Sequence, residues 1–453
     1  MRSRRTSPGK SRVVGGVVKG VVGGVEVHGL SHDGRGLAKQ HGKTIFISGA
    51  LPQEKVSIRV TEDKRRFTSA EVVSVEQPST DRVEPPCPHF KQCGGCSLQY
   101  WSHEGQLQGK QSIVLDQLRR FSSLTPATLS DPLVSTPYGY RHRCRLSMIW
   151  RNNQLQFGFR QQQSKQIIDI RECPVLVEPL QPLLPLIKSL LQTLDKKTAV
   201  SHVELIQADS GRAVLFRHIK PLSAEDQGKL ATFAKDQQLP FYLQPQPDHI
   251  SCLYSPSDDP WLYNTLPEFD LKLQFRPVDF TQVNWQINRQ MILQAVDWLE
   301  LKASDKVLDL FCGLGNFTLA MARKAGHVVG VEGSTASVER AAFNASLNAI
   351  ENTAFYQADL AALIEGSKKG NDWLLNQYDA LVLDPPRAGA KEIIEQMADR
   401  IPDKVLYISC NPATLARDAG VLAEQGYKLQ RLGVMDMFPQ TGHVESMALF
   451  IKG

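Results

Sequence analysis

No stretch of 18 uncharged apolar residues occurs in this 453-residue chain, so an ordinary membrane-spanning helix is not expected. The one run that raises the question, Val13 to Val25, is broken by Lys19 and by glycines, and makes a poor signal-peptide core. Cysteine is scarce: eight residues, unevenly spaced, do not form a disulfide framework. The chain reads as a protein of the reducing cytoplasm, where each thiol needs a chemical reason. Internal repeats and long low-complexity segments are missing as well. The C-x3-C-x2-C spacing of radical enzymes does not occur. The glycine loop near position 313 carries Thr318 where a pyrophosphate-binding G-x-G-x-x-G would have its last glycine.

What is present is globular in composition, with 42% hydrophobic and 22% charged residues. A chain of this length predicts two to four domains. The formal net charge of +5 says little by its size. Its placement says more, because Arg2, Arg4, Arg5, Lys10, Arg12 and Lys19 all precede the first acid, Glu26. Such an arm is either a solvated tail or a grip on a phosphate backbone.

Three blocks follow the arm, which spans residues 1–18. Residues 19–78 hold short β-like segments (VEVHGL, KTIFISGAL, EKVSIRVTED, TSAEVVSVEQ) punctuated by Gly29, Gly34 and Gly49, the pattern of a small barrel. Two basic loops are expected on it, Gly36 to Lys39 and Lys64 to Phe67, the second joining charge to an aromatic ring as RNA-binding barrels do. A Pro/Ser-rich linker, Gln77 to Pro88, leads to a central block ending near 274. Within it Trp101 to Phe121 predicts an amphipathic helix with Leu107, Ile113, Leu115 and Leu118 inward. From 275 to 453, KVLDLF, HVVGVE, ALVLDPP and VLYISC alternate with helical stretches, which predicts a parallel sheet covered on both faces.

Cys87, Cys93 and Cys96 stand as C-x5-C-x2-C around Gly94-Gly95, and three thiols in ten residues point to a metal. The glycines let backbone amides approach sulfur. A fourth ligand is required: Cys173, followed by proline, is the better candidate and Cys144 the rival. Four thiolates suit either zinc or a [4Fe–4S] cluster, and composition does not choose between them.

VLDLFCGLGNFTLAMA, Val307 to Ala322, reads as strand, glycine turn and helix. Glu332 closes the next strand at the distance where an acid holds two ribose hydroxyls. With the third glycine missing, a ligand without phosphates, such as S-adenosylmethionine, fits better than NAD. Asp359 follows the third strand, near where an adenine edge would lie. Asp384-Pro385-Pro386-Arg387 follows the fourth as a rigid loop. LYISCNPATLARD, Leu406 to Asp418, puts Cys410 at the carboxyl end of a strand just before a helix start, the place where open α/β sheets bind ligands. Cys312 reads as a packing residue and Cys252 as incidental.

Together DFTQVNWQIN, LDLFCGLGNFTL, VVGVE, DPPRAG, SCNPATLARD and HVES resemble the RNA uracil-C5 methyltransferases that use S-adenosylmethionine, over nearly the whole chain. The resemblance implies a multidomain α/β protein: a TRAM (OB-like) β-barrel, a central α+β iron–sulfur domain, and a Rossmann-like methyltransferase domain. The helix near 101–121 would pack on that last domain. It implies a [4Fe–4S] cluster on Cys87, Cys93, Cys96 and Cys173, with structural and RNA-docking duties. Gln282, Phe311, Asn316, Glu332, Asp359 and Asp384 would contact S-adenosylmethionine. Cys410 would be the nucleophile and Glu445 the proton acceptor. The barrel and cluster together point to the branch acting on a specific uridine of 23S ribosomal RNA. The protein would be a cytoplasmic monomer without a membrane or DNA partner. The same chemistry on another uridine or on tRNA is the enzymatic alternative; a non-catalytic iron–sulfur RNA-binding protein is the other.

The residue types fit that chemistry. Uracil C5 becomes nucleophilic only after a thiolate adds to C6, and cysteine is the side chain already partly ionised near neutrality. A helix N-terminus beside Cys410 is expected to increase that fraction. The base must leave its stack for the thiol to reach it, and Arg141, Arg143 and Arg145 either hold the displaced strand or form a plain charged face.

Overall fold

A computed structural model describes residues 21–31, 33–162, 164–247, 249–360 and 372–453. The basic residues Arg2 to Lys19 lie outside them. The chain forms two compact units, one running to Glu84 and taking in Tyr100–Ser102, the other made of Pro85–Gln99 and His103–Gly453.

The first unit is one six-stranded sheet in the order Val21–Glu26, Lys55–Asp63, Phe67–Gln77, Lys43–Ser48, Gly36–Gln40, Gly29–Leu30. Its two edge strands, Val21–Glu26 and Gly29–Leu30, are consecutive in the chain with only Val27 and His28 between them. A chain cannot cross a flat six-stranded sheet in two residues, so the sheet closes on itself. Val25, Val27, Ala38, Ile45, Ile47, Val56, Ile58 and Ala70 fill the inside. Residues 36–39, expected as a basic loop, are instead a strand. Gly36 and Ala38 alternate inward, and the reversal falls one step later, at His41 and Gly42, both with positive φ. Buried Glu54 takes both prongs of the Arg82 guanidinium at 2.5 and 2.8 Å, tying the chain end to the sheet. On the outside Lys64 lies 5.2 Å over the Phe67 ring, Phe67 meets Phe46 edge-on at 5.7 Å, and Arg35 covers Phe46 at 4.7 Å.

The second unit contains two large sheets. The first, of seven strands, runs in the order Ile167–Asp169, Gln154–Arg160, Arg143–Arg151, Val200–Ala208, Gly211–His218, Phe241–Gln246, His249–Tyr254. Helices Leu183–Thr193 and Ala224–Asp236 cover one face, where Leu184, Ile187 and Leu230 pack on Leu146, Val203 and Phe216.

The other has eight strands: Thr353–Gln357, His327–Glu332, Lys306–Leu310, Ala380–Leu383, Lys404–Ser409, Glu445–Lys452, Tyr427–Met435, Thr128–Leu129. The first five are mutually parallel, and Glu445–Lys452 runs antiparallel to both its neighbours. The near-continuous apolar runs of these strands are what burial on both faces requires. Trp285–Leu299, Thr318–Ala322 and Thr335–Leu347 pack on one side; His103–Phe121, Lys391–Gln396 and Pro412–Glu424 pack on the other. The first helix of the unit begins at His103 and buries Ile113, Val114 and Leu118 beside Leu415, Ala416 and Ala419.

That helix also carries a polar seam that hydrophobic periodicity does not reveal. Lys110, 1% exposed, donates to Asp436 Oδ1 at 2.7 Å and to the Phe438 carbonyl at 3.1 Å. His103 Nε2 lies 2.7 Å from Asp436 Oδ2, and Gln106 exchanges two hydrogen bonds with Gln440 at 3.0 and 2.9 Å. Burial lowers the affinity of Lys110 for its proton, while Asp436 opposes that. Burial would also raise Asp436, but His103 and the Lys110 ammonium hold it below the ordinary carboxylate range. A buried charge without its partner costs about 3–5 kcal/mol, so the seam fixes the 436–443 loop that leads into Glu445.

Candidate active site

At the carboxyl ends of the parallel strands lies a cavity of about 830 Å3. Gln282, Phe311, Asn316, Glu332, Asp384, Cys410 and Glu445 all line it. Of the side chains expected to carry chemistry or hold the methyl donor, Asp359 alone is not in the lining; it follows the Thr353–Gln357 strand one residue beyond Ala358.

The glycine loop is shaped by its backbone. Phe311, Gly313 and Gly315 have φ of 66°, 57° and 93°. A left-handed phenylalanine is strained, and such residues persist where surrounding bonds force them. Here Phe311 N–H and Cys312 N–H both donate to the Val331 carbonyl, at 2.9 and 3.2 Å. Gly313 N–H and Ser334 N–H donate to the two Glu332 oxygens at 3.2 and 3.0 Å. Each oxygen keeps a lone pair for a ligand hydroxyl. Asn316 and Asn288 clasp each other through two amide bonds of 3.1 and 2.9 Å, joining the glycine loop to the helix after Gln282. Asn284, fully buried, caps that helix by accepting from Ile287 N–H at 3.3 Å. Cys312 is buried against Gly330, where an added Cβ would stand 2.9 Å from its sulfur.

The Asp384-Pro385-Pro386-Arg387 loop and the Cys410 segment are held as one piece by Asp418. Its Oδ2 accepts from Ala390 N–H and Tyr407 O–H, each at 2.7 Å, and its Oδ1 accepts from Arg417 at 2.7 Å. Arg417 in turn donates to the Ala388 carbonyl at 2.8 Å, and Gly389, at φ 85°, leaves the space that any Cβ would take from Asp418. Arg387 Nη2 donates to His443 Nδ1 at 2.6 Å, a bond that needs this imidazole neutral; burial and the Arg387 charge keep it so.

Cys410 and Glu445 meet through strand register. The Lys404–Ser409 and Glu445–Lys452 strands pair antiparallel up to Ser409 opposite Ser446. One step further puts Cys410 across from Glu445. Burial pushes the Cys410 thiol up to about 11, with the Glu445 charge adding to the effect and Arg387 opposing it. The net direction is opposite to the lowering expected from the following helix, because burial outweighs it. Pro412, the first helical residue, has no N–H, and Ala413 N–H is taken by the Asn411 side chain at 3.1 Å. Burial also pushes Glu445 up to about 8, helped by Asp384 and opposed by Arg387 and Lys110. Asp384 and Asp309 are each raised to about 7 by burial. Asp384 and Glu445 line the cavity, with Asp309 buried behind Thr318, and two raised acids on its wall favour an incoming cation.

The four cysteines expected to hold a cluster are partly exposed free thiols. Gly95 N–H donates to Cys93 Sγ at 3.4 Å. Burial raises Cys96 to about 11, with Cys93 and Cys87 adding to it, and it raises Cys173 as well, with Cys144, Cys96 and Cys93 adding. The thiols thus feel one another. Cys144 is buried in the core of the seven-stranded sheet, and Cys252 is exposed. Among the described residues no three Cys, His, Asp or Glu side chains are gathered closely enough to hold a metal ion.

A parallel sheet with this strand order, a glycine loop after its first strand and an acid after its second defines an S-adenosylmethionine-dependent methyltransferase fold. The model of the tRNA (Uracil-5-)-methyltransferase family matches residues 102–453 and that of the TRAM domain matches 19–73, and the chain belongs to this family of RNA uracil-5-methyltransferases. The 23S rRNA (uracil(1939)-C(5))-methyltransferase RlmD of Hahella chejuensis is 44% identical over 430 residues, covering 94% of this chain and 96% of that one. Its namesake from Vibrio vulnificus (strain CMCP6) is 45% identical over the same shares. In fold, the chain is similar to the crystal structure of Pyrococcus abyssi tRNA (uracil-54, C5)-methyltransferase in complex with S-adenosyl-L-homocysteine. That likeness has a TM-score of 0.71 and 21% identity over 95% of this chain and 100% of that one.

The buried state of Glu445 makes a prediction about stability. A carboxyl whose folded value of about 8 lies above its ordinary 4.5 stabilises the fold below pH 4.5 and loses that contribution as pH rises to 8. Glu445→Gln removes the loss. Its stability relative to wild type, measured by denaturant unfolding, is expected to climb by about 1.4 kcal/mol per pH unit at most between pH 5 and pH 8. A difference that stays constant with pH would contradict a buried, raised Glu445.

Proposed function

We propose that this protein is the 23S rRNA (uracil(1939)-C(5))-methyltransferase of its cell, acting in the cytoplasm and transferring a methyl group from S-adenosylmethionine to C5 of that uracil. The observation that carries the reading is the juxtaposition of Cys410 with Glu445 at one end of a donor-sized cavity. The near full-length kinship with enzymes named for uracil 1939 supports the choice of target.

The donor supplies an electrophilic methyl on a positively charged sulfur. Glu332 accepts the ribose hydroxyls, Phe311 and Asn316 bound the nucleoside, Asp359 serves the adenine side, and Gln282 and Asp384 line the reacting end. A cation arriving beside Asp384, Glu445 and Cys410 favours the charged form of each, so donor binding itself prepares the thiolate. Arg387 works in the same direction from the rim.

With the uracil flipped into the cavity, the Cys410 thiolate adds to C6 and the electron pair of the C5–C6 bond moves toward O4. C5 then attacks the methyl carbon, the sulfur–methyl bond breaks with its electron pair staying on sulfur, and S-adenosylhomocysteine is the leaving group. The Glu445 carboxylate removes the remaining C5 proton, the C5–C6 double bond re-forms, and Cys410 leaves as thiolate. Both groups work deprotonated, and the cavity by itself raises the proton affinity of both.

Cys87, Cys93, Cys96 and Cys173 are the residues that would hold a [4Fe–4S] cluster. Zinc would need all four sulfurs about 2.3 Å from one point, whereas a four-iron cube needs each sulfur only at its own iron. Partly buried thiols with raised proton affinity favour their neutral form until a cation binds, and a cluster would supply that charge. Its service there would be to brace the 87–96 loop, because methyl transfer consumes no electrons. The barrel, near residues 19–78, offers its Arg35–Phe46–Phe67–Lys64 patch to RNA bases and phosphates.

Mapping 5-methyluridine in ribosomal RNA of a deletion strain tests the target. The modification at position 1939 of 23S rRNA is expected to vanish and to return with the wild-type gene; a lost tRNA mark with that position intact would contradict the assignment. For the cluster, Cys173→Ser is expected to abolish the iron chromophore of anaerobically purified protein and Cys144→Ser to leave it. The opposite pair of outcomes would exchange their roles.

A further inference from the structure

The side of the seven-stranded sheet away from its helices is divided. At one end Ile206, Ala208 and Leu215 pack with Tyr242 and Leu262. At the other end none of the helices among the described residues packs on it, and register sets polar side chains in rows. Ser147 stands between Gly158 and His202, His202 pairs with Arg217, and Arg145 pairs with Glu204. Arg145, Arg160 and His202 border an open depression of about 470 Å3. Between them the short Ser147 side chain keeps the floor low.

The charges there are nearly all of one sign. Two acids stand in these rows, and both are paired: Arg143 holds Glu204 at 2.8 Å, and Asp169, opposite Gly158, is held by Lys188. Arg145 remains 46% exposed and 3.8 Å from the same carboxylate. Arg160 is exposed and Arg217 half-buried. His202 loses proton affinity first through burial and then through Arg145, Arg217 and Arg160, so these guanidinium groups converge on one place. Like charges gathered on an uncovered face repel one another, and a polyanion relieves that repulsion.

The face is also continuous with the cavity. Arg143 donates to the Asp279 carbonyl at 2.7 Å and to the Pro277 carbonyl. It thereby pins the turn whose next residues, Phe280, Thr281 and Gln282, line the cavity.

We propose that this open end of the sheet, around Arg145, Arg160 and Arg217, seats the phosphates of the RNA strand that flanks the target uridine. The inference rests on the proposed function, because it needs an RNA substrate. A flipped base leaves the cavity unless its neighbours are held, and guanidinium forks match phosphate oxygens in pairs. A shallow floor lined by Arg145, Arg160, His202 and Ser147, with the Phe159 ring beside them, suits a sugar–phosphate backbone and its bases rather than a protein side chain.

The test is RNA binding by the triple variant Arg145→Gln, Arg160→Gln, Arg217→Gln across a salt series, using a 23S fragment that contains position 1939. We expect at least tenfold weaker binding near 0.1 M salt. The log–log salt slope should be shallower by about 2, since each phosphate no longer neutralised on a single strand removes about 0.7. Donor affinity and kcat at saturating RNA should be unchanged, and the Arg→Lys triple should restore the slope. An unchanged affinity and slope, with a wild type that methylates the fragment, overturns the inference and leaves an acidic protein as the occupant. A wild type that does not methylate the fragment rejects the function itself, and the inference falls with it.

Discussion

The register between Lys404–Ser409 and Glu445–Lys452 is the constraint on which the site depends. Side chains along a strand alternate between faces, so a slip of one residue would send every buried group to the wrong side. Ser446, Met447, Ala448 and Phe450 are all fully buried, and Tyr407 and Leu406 are too. Burial on both faces therefore fixes the pairing with Ser409 opposite Ser446. Cys410 and Glu445 then confront each other with no further instruction. They stand where the ladder between these strands ends, open to the cavity.

That placement costs stability, and the surrounding structure offsets part of it. Glu445, Asp384 and Asp309 sit where burial favours their neutral forms. Lys110 brings a cation to the buried side of this group, balanced by Asp436 rather than by Glu445. Arg387 brings another at the rim and is steadied by neutral His443. The cavity by itself is thus short of positive charge, which is what a sulfonium donor supplies. In the proposed mechanism, the same electrostatics that destabilise the free protein would make donor binding and activation of the thiol one event.

Much of this was legible in the sequence. The apolar runs followed by helices pointed to the parallel sheet, because strands buried on both faces must read so. The positions after those strands pointed to Glu332, Asp384 and Cys410, since ligands of such sheets bind there. The local chemistry of Glu445 did not identify it; only the ordered family motifs did, and register explains why it is there. Lys110 and Gln106 were missed because a polar seam on a helix resembles its solvated face. Asp418 was visible within LYISCNPATLARD, but a loop clamp is a matter of who lies opposite, which spacing does not encode. The strand at 36–40 was mistaken for a loop because its lysine drew more notice than the inward alternation of Gly36 and Ala38. The proton affinity of Cys410 ran against expectation because burial, with the Glu445 and Asp384 charges beside it, outweighs Arg387, and burial of a strand end is not written in local spacing.

The central claim is a transient bond between Cys410 sulfur and uracil C6. It is tested most directly with RNA carrying 5-fluorouridine at the target, incubated with S-adenosylmethionine and the wild-type enzyme. Fluorine cannot leave as a proton does, so the methylated intermediate should remain attached through denaturation, and peptide mass mapping should find the nucleotide on Cys410. An adduct on another residue, or a folded, donor-binding Cys410→Ala variant that methylates unmodified RNA at the wild-type rate, would contradict the account.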